Sequence, residues 1–338
     1  MAETTNPSPA AANAKALAQA ATLEVKGPSR SLMADAWYRL LRNKASVAGG
    51  IVIIAFFLVA LAAPLVAPHS PLQRHSGGKD FLPPAWVEKG PNGKAGDPTY
   101  PLGTDTLGRD VLSRVIYGAR VSMVVGIIPT VIVLLLGTTI GLIAGYFGGR
   151  LDNTLMRLTD VIYAFPDLLF FIVLMVALRD TFLGDLLNGL FLLFVALAIV
   201  GWTGVARLVR GQVLSVKNNE FIEAARCIGA RDSRIMIKHI LPNTLGPIII
   251  VAAMAVPGMI ITEAILGYLG LGLRPATDPR QFFITSWGSL LLEGQSAINV
   301  QPWVLLAPAI CVSLIVLAFT FLGDGLRDAF DPRLRGTS

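Results

Sequence analysis

Residues 121–146 read VSMVVGIIPTVIVLLLGTTIGLIAGY, and this run decides the class of fold. A helix rises 1.5 Å per residue, so about 20 apolar residues cross roughly 30 Å of hydrocarbon. The stretch is long enough to span a bilayer. Gly137, Gly141 and Gly145 recur within it at every fourth position. That spacing lets a second helix approach closely where lipid provides no hydrophobic drive for association. Gly201 and Gly204 repeat the feature further along the chain.

Comparable runs lie on both sides. Six spans are expected: Ala45–Ala67, Val121–Tyr146, Leu158–Leu178, Leu186–Val205, Thr244–Leu266 and Trp303–Leu322. The third is the weakest, because Asp160 and Asp167 fall within it, and a start nearer Pro166 fits it better. Pro129 and Pro257 should break or kink the second and fifth. Composition agrees with membrane embedding: of 338 residues 54% are hydrophobic and 15% charged, against about 25% charged in soluble domains. The first run follows a 44-residue tail and exceeds a signal-peptide core, so it reads as a retained span.

Residues 1–30, rich in Ala, Thr, Ser and Pro, are expected to be a disordered tail. Within 31–44, Leu32, Met33, Trp37, Leu40 and Leu41 fall near one helical face. This segment is either a helix at the membrane surface or the first turns of span one. Residues 45–335 form the membrane domain.

Six spans put both termini on one side. With the termini inside, 18 Lys and Arg face the cytoplasm and 10 face outward, the bias that marks cytoplasmic loops. Residues 206–243 then form a cytoplasmic loop, and 68–120 and 267–302 external ones. The net charge of +6 records orientation in this reading, since the basic residues are scattered and make no nucleic-acid motif.

Catalytic patterns are missing. His69, His75 and His239 form no metal-binding motif, and Cys227 and Cys311 no redox or metal spacing. Gly103 to Asp110 has the two glycines of a phosphate loop, but Arg109 stands for its lysine and Asp110 for its hydroxyl residue. A carboxylate there repels phosphate. Glu263 is the clearest acid inside a span. It is either a structural hydrogen-bonding group or part of a gate or solute path.

The loop at 206–243 carries the functional signal. Helix formers run from Glu220 to Ile228, Gly229 suits a left-handed helix end, and Asp232 or Ser233 is placed to cap a second helix. Pro242 should stop that helix near Leu241. A short helix, a tight turn and another short helix result. Ala224 and Ala225 allow close approach by a partner, and Phe221 and Ile222 offer apolar contact.

This segment resembles the cytoplasmic loop of ABC importer permeases, patterned EAA-x3-G-x9-I-x-L-P. Glu223, Ala224 and Ala225 match the triplet, Gly229 the glycine, and Leu241 with Pro242 the ending. His239 replaces the general isoleucine, as in the dipeptide, oligopeptide and nickel branch, whose C-type subunit this chain resembles. Similar matches are Trp37–Lys44, Pro101–Asp110, Gly118–Arg120, Leu269–Gly272, Trp287–Gly288 and Gly323–Arg333.

The resemblance implies an all-α membrane protein with the six-helix fold of type I ABC importer permeases and cytoplasmic coupling helices. It implies a heterodimer with a second permease, two ABC ATPase subunits that hold ATP and Mg, and an extracytoplasmic solute-binding protein. No cofactor is expected on this chain, and no nucleic-acid partner. Glu223, Ala225 and Gly229 would couple it to the ATPases. The rival reading is a self-sufficient secondary transporter or channel, which usually shows paired broken helices in two halves; no such pairing is visible.

Overall fold

A computed structural model describes residues 32–75, 80–90, 92–278 and 280–330. The tail at 1–30 and the Asp331–Arg333 match lie outside them. The helices are α1 (Leu32–Arg42), α2 (Lys44–Leu61), α3 (Ala63–Val66), α4 (Val111–Phe147), α5 (Gly149–Tyr163), α6 (Asp167–Leu178), α7 (Phe182–Asp185), α8 (Leu190–Val216), α9 (Glu220–Cys227), α10 (Asp232–Ile235), α11 (Leu241–Tyr268), α12 (Trp287–Ala297) and α13 (Trp303–Phe330). Among the described residues the β-pairing is an isolated bridge, Thr104 to Asp110.

Five helical stretches are long and apolar enough to cross a membrane, and a sixth crossing requires α5 and α6 to act as one bent span. The third expected span is therefore not a straight helix. Its two halves meet at 79°, across Ala164 to Pro166. Proline lacks the N–H that would continue α5 and pushes Phe165 away from helical geometry. The 12 residues of α6 reach about 18 Å at 1.5 Å per residue, short of a bilayer core.

The other spans shift at their ends. The second begins ten residues earlier, because the Asp110 side chain accepts hydrogen bonds from the Ser113 backbone N–H at 3.2 Å and its hydroxyl at 2.5 Å. An acidic N-cap satisfies donors that the helix itself leaves free. The fourth starts later, after left-handed Leu187, Asn188 and Gly189, and continues to Val216, so the loop at 206–243 opens as a helical extension. Neither Pro129 nor Pro257 breaks its helix; α4 and α11 run through them.

The glycine repeat in α4 packs along α8. A Cβ at Gly137 would lie 2.6 Å from Val205 Cβ, one at Gly141 2.6 Å from the Ala206 carbonyl oxygen, and one at Gly145 2.7 Å from Val213 Cβ. These are closer than atoms can pack, so only glycine allows the contact. Gly201 joins the packing against Val133, whereas Gly204 meets nothing within 4 Å.

Candidate functional site

The segment after α8 forms a ledge made of α9, a turn and α10. Helix α9 ends as the sequence predicts: Gly229 has φ +76°. The Ala230 N–H donates to the Ala225 carbonyl at 3.0 Å and the Gly229 N–H to that of Arg226 at 2.9 Å. This crossed pair is a Schellman motif, which places a left-handed residue one position beyond the helix cap. No atom lies within 4 Å of a Cβ built at Gly229, so conformation rather than space requires the glycine.

Two features depart from the sequence reading. Neither Asp232 nor Ser233 caps α10; Arg231 holds that position without a side-chain cap, and Asp232 accepts a hydrogen bond from the Tyr146 hydroxyl at 2.6 Å. The helix does not stop at Leu241 either. Met236–Ile240 widens into a π-turn, and α11 continues with Pro242 in its first turn. A π-turn shifts the hydrogen-bond register, which accommodates a residue with no N–H whose ring crowds the carbonyl four positions earlier.

The two faces of the ledge differ. Ile222 and Ala225, three residues apart and so on one helical face, are buried with Ile235 and Ile240 against Tyr146 of α4 and Val209 and Val213 of α8. Ala225 and Ile222 therefore pack within this chain and are not free to touch a partner. Glu223, Ala224, Gly229 and Pro242 are exposed, while His239 and Leu241 are half-buried. The outward apolar surface consists of Phe221, Ala224, Ile228 and Ile237, with Ile228 86% exposed.

Polar ties fix the ledge to the spans. The Lys217 ammonium donates to the Gly145 carbonyl at 2.9 Å, and the Arg226 guanidinium lies over the Tyr146 ring, 5.6 Å from its centroid. Nearby, Arg210 donates twice to Asp152 of α5, at 2.6 and 2.7 Å. Sequence reasoning missed Tyr146 and gave Asp232 the role of a helix cap in place of a partner for it. The available signal was a tyrosine that directly follows the last glycine of the α4 repeat.

At the opposite end, the glycine-rich segment wraps around a carboxylate of its own. Asp105 accepts from the Leu107 and Arg109 backbone N–H groups at 2.9 and 3.0 Å, and from the Arg109 and Arg114 side chains at 2.7 and 2.6 Å. Glu293 of α12 also pairs with both arginines. The donors a phosphate would use are already occupied. Glu263 is fully buried; it accepts from the Ser122 hydroxyl at 3.2 Å and packs against Gly288, whose built Cβ would stand 3.0 Å from Glu263 Oε1. It joins α4, α11 and α12 inside the chain. Among the described residues no three His, Cys, Asp or Glu side chains gather as a metal site.

Residues 137–336 match the family model described as the inner membrane component of binding-protein-dependent transport systems. Residues 31–84 match the N-terminal membrane domain of oligopeptide transport permease C. The chain belongs to this family of transport permeases. The permease is 41% identical to the dipeptide transport system permease protein DppC of Bacillus subtilis, over 92% of this chain and 89% of that one. It is 40% identical to the oligopeptide transport system permease protein OppC of Haemophilus influenzae, over 92% of each. Its backbone also resembles a chain of the MetNI methionine ABC transporter in an inward-facing crystal form, with a TM-score of 0.50, 18% identity, and coverage of 64% of this permease and 96% of that chain. The permease is thus a multi-pass membrane subunit with the type I ABC importer fold, and not an enzyme. The reading as a self-sufficient transporter or channel gives way to it.

Proposed function

We propose that the permease pairs with a second permease to enclose a path for peptides or similar small solutes. Two ABC ATPases, which bind ATP and Mg, drive it, and an extracytoplasmic solute-binding protein delivers solute to the loops at 68–120 and 267–302. The dipeptide and oligopeptide permeases it resembles support the solute class. The excess of Lys and Arg in one set of loops supports cytoplasmic termini and a cytoplasmic ledge.

One observation carries the coupling role. The ledge exposes Phe221, Glu223, Ala224 and Ile228 on one side while its other side is fixed to α4 and α8. A push on the exposed side therefore reaches two spans directly. ATP-driven closure of the ATPases would favour one of two arrangements of the bundle. Ala225 serves this role from inside, as the residue that seats the ledge.

Gly229→Val tests the proposal. An L-residue in left-handed geometry costs about 1–2 kcal/mol, and β-branching adds to that. The variant is expected to assemble with its partners but to lose solute-stimulated ATPase activity and transport in proteoliposomes. Full activity would remove the ledge from the coupling path.

A further inference from the structure

Three acids fall within the six expected spans, and two of them are answered inside the chain. Glu263 is buried and accepts from Ser122, and Asp160 pairs with Arg207 at 2.7 Å. The third, Asp167, opens α6 and is exposed. Among the described residues it meets no hydrogen-bond or ion-pair partner.

Its depth follows from the helix it begins. The far end of α6 is held at a polar rim, where Arg179 donates to the Gly270 carbonyl at 2.7 Å and Arg274 pairs with Asp185 at 2.7 Å. Eleven steps of 1.5 Å put Asp167 about 17 Å from that rim, inside a hydrocarbon core of about 30 Å. The chain also breaks there. Helices α5 and α6 meet at 79°, and Pro166 precedes α6 without a side-chain cap. The last carbonyls of α5 and the first N–H groups of α6 therefore lack helical partners. Ala164, Phe165 and Pro166 are exposed, so this chain does not bury the break.

Three surroundings compete for the bend. Acyl chains are excluded, because non-helical backbone facing lipid does not occur. An aspartate among them also costs several times what a helix N-terminus returns to it. A fixed protein surface would have to match carbonyls, N–H groups and a carboxylate together. Water serves all of them at once. The sign of the charge then selects what passes. A bare helix N-terminus favours anions, and a carboxylate in the first turn reverses that preference.

We propose that the bend between α5 and α6 lines the water-filled solute path, and that Asp167 is the group met there by a positively charged solute end, an ammonium. This rests on the path shared with a second permease proposed above.

Cysteine labelling in inside-out vesicles holding the assembled transporter tests the lining, with Cys227 and Cys311 replaced by Ser. The probes are two charged, impermeant methanethiosulfonates, one bearing a sulfonate and one a trimethylammonium. Asp167→Cys is expected to react with both, whereas Leu135→Cys, exposed on α4 among apolar neighbours, is not. The adducts then test the charge. With binding protein loaded from a casein hydrolysate, the sulfonate adduct should keep stimulated ATPase activity within about twofold of the cysteine-free parent, and the trimethylammonium adduct should lose about tenfold. If Asp167→Cys does not assemble, Phe165→Cys at the same bend takes the labelling test. No labelling in an assembled complex, or equal activity of the two adducts, overturns the proposal. A hydrolysate that fails to stimulate the parent sinks the peptide reading and the ammonium contact with it, while labelling at the bend still establishes the lining.

Discussion

Tyr146 and Glu263 both carry polar groups whose partners only the fold brings to them. The Tyr146 hydroxyl ties the ledge to α4 through Asp232. A hydrogen bond of this kind contributes about 1 kcal/mol where solvent still competes. Tyr146→Phe keeps the ring under Arg226 and removes only that bond, so solute-stimulated ATPase activity should fall by about fivefold, the rate equivalent of about 1 kcal/mol, with assembly intact. An unchanged rate would show that ring packing alone seats the ledge. Glu263 was legible as an intramembrane acid, but its role depended on its neighbours. Buried against Ser122 and Gly288, it is placed where α4, α11 and α12 meet, and the structural reading makes a prediction. Glu263→Gln preserves shape and an acceptor for Ser122, so transport should stay within about twofold of the unmodified protein, a difference under about 0.5 kcal/mol. Loss of transport in a correctly assembled complex would return the carboxylate to the solute path. The Ala225 contact was misread for a related reason. A motif fixes which residues occur, whereas the inward face is fixed by the helix to which Ile222 and Ala225 pack.

At the level of elements, hydropathy located the spans, and local rules placed the Gly229 turn. The misses occurred where two local rules compete. Pro242 reads as a stop, yet a π-turn at Met236–Ile240 carries the helix past it. Pro166 does stop α5, and the expected straight span becomes a bent pair. Helix ends such as that of α4 depend on a cap, Asp110, that lies outside the apolar run. The spacing of Gly137, Gly141 and Gly145 was read correctly, and its partner, α8, emerged only in three dimensions. The packing makes a sharp prediction. At Gly141 even a Cβ would lie 2.6 Å from the Ala206 carbonyl, a backbone atom that cannot swing aside. Gly141→Leu should separate α4 from α8, costing more than the about 1–3 kcal/mol of ordinary overpacking. The measurement is the yield of assembled complex by size exclusion; a yield equal to that of the unmodified protein would contradict the packing.

The whole molecule has two ends with different chemistry. One end presents the ledge, fastened by Tyr146, Lys217 and a buried aliphatic cluster. The other holds a neutralised set of arginines and acids around Asp105, Arg109, Arg114 and Glu293. The family was legible in the loop motif because its glycine, triplet and proline stand at fixed spacing. The placement of polar ties was not legible, since partners such as Arg114 and Glu293 are joined only by the fold. Central to the account is that the ledge faces the compartment of the ATPases. Its own Cys227, exposed on α9, reports on this directly once Cys311 is replaced by Ser. A membrane-impermeant maleimide should label Cys227 in inside-out vesicles and not in right-side-out ones, and ATPase subunits should protect it. Labelling from the outside of right-side-out vesicles would contradict the account.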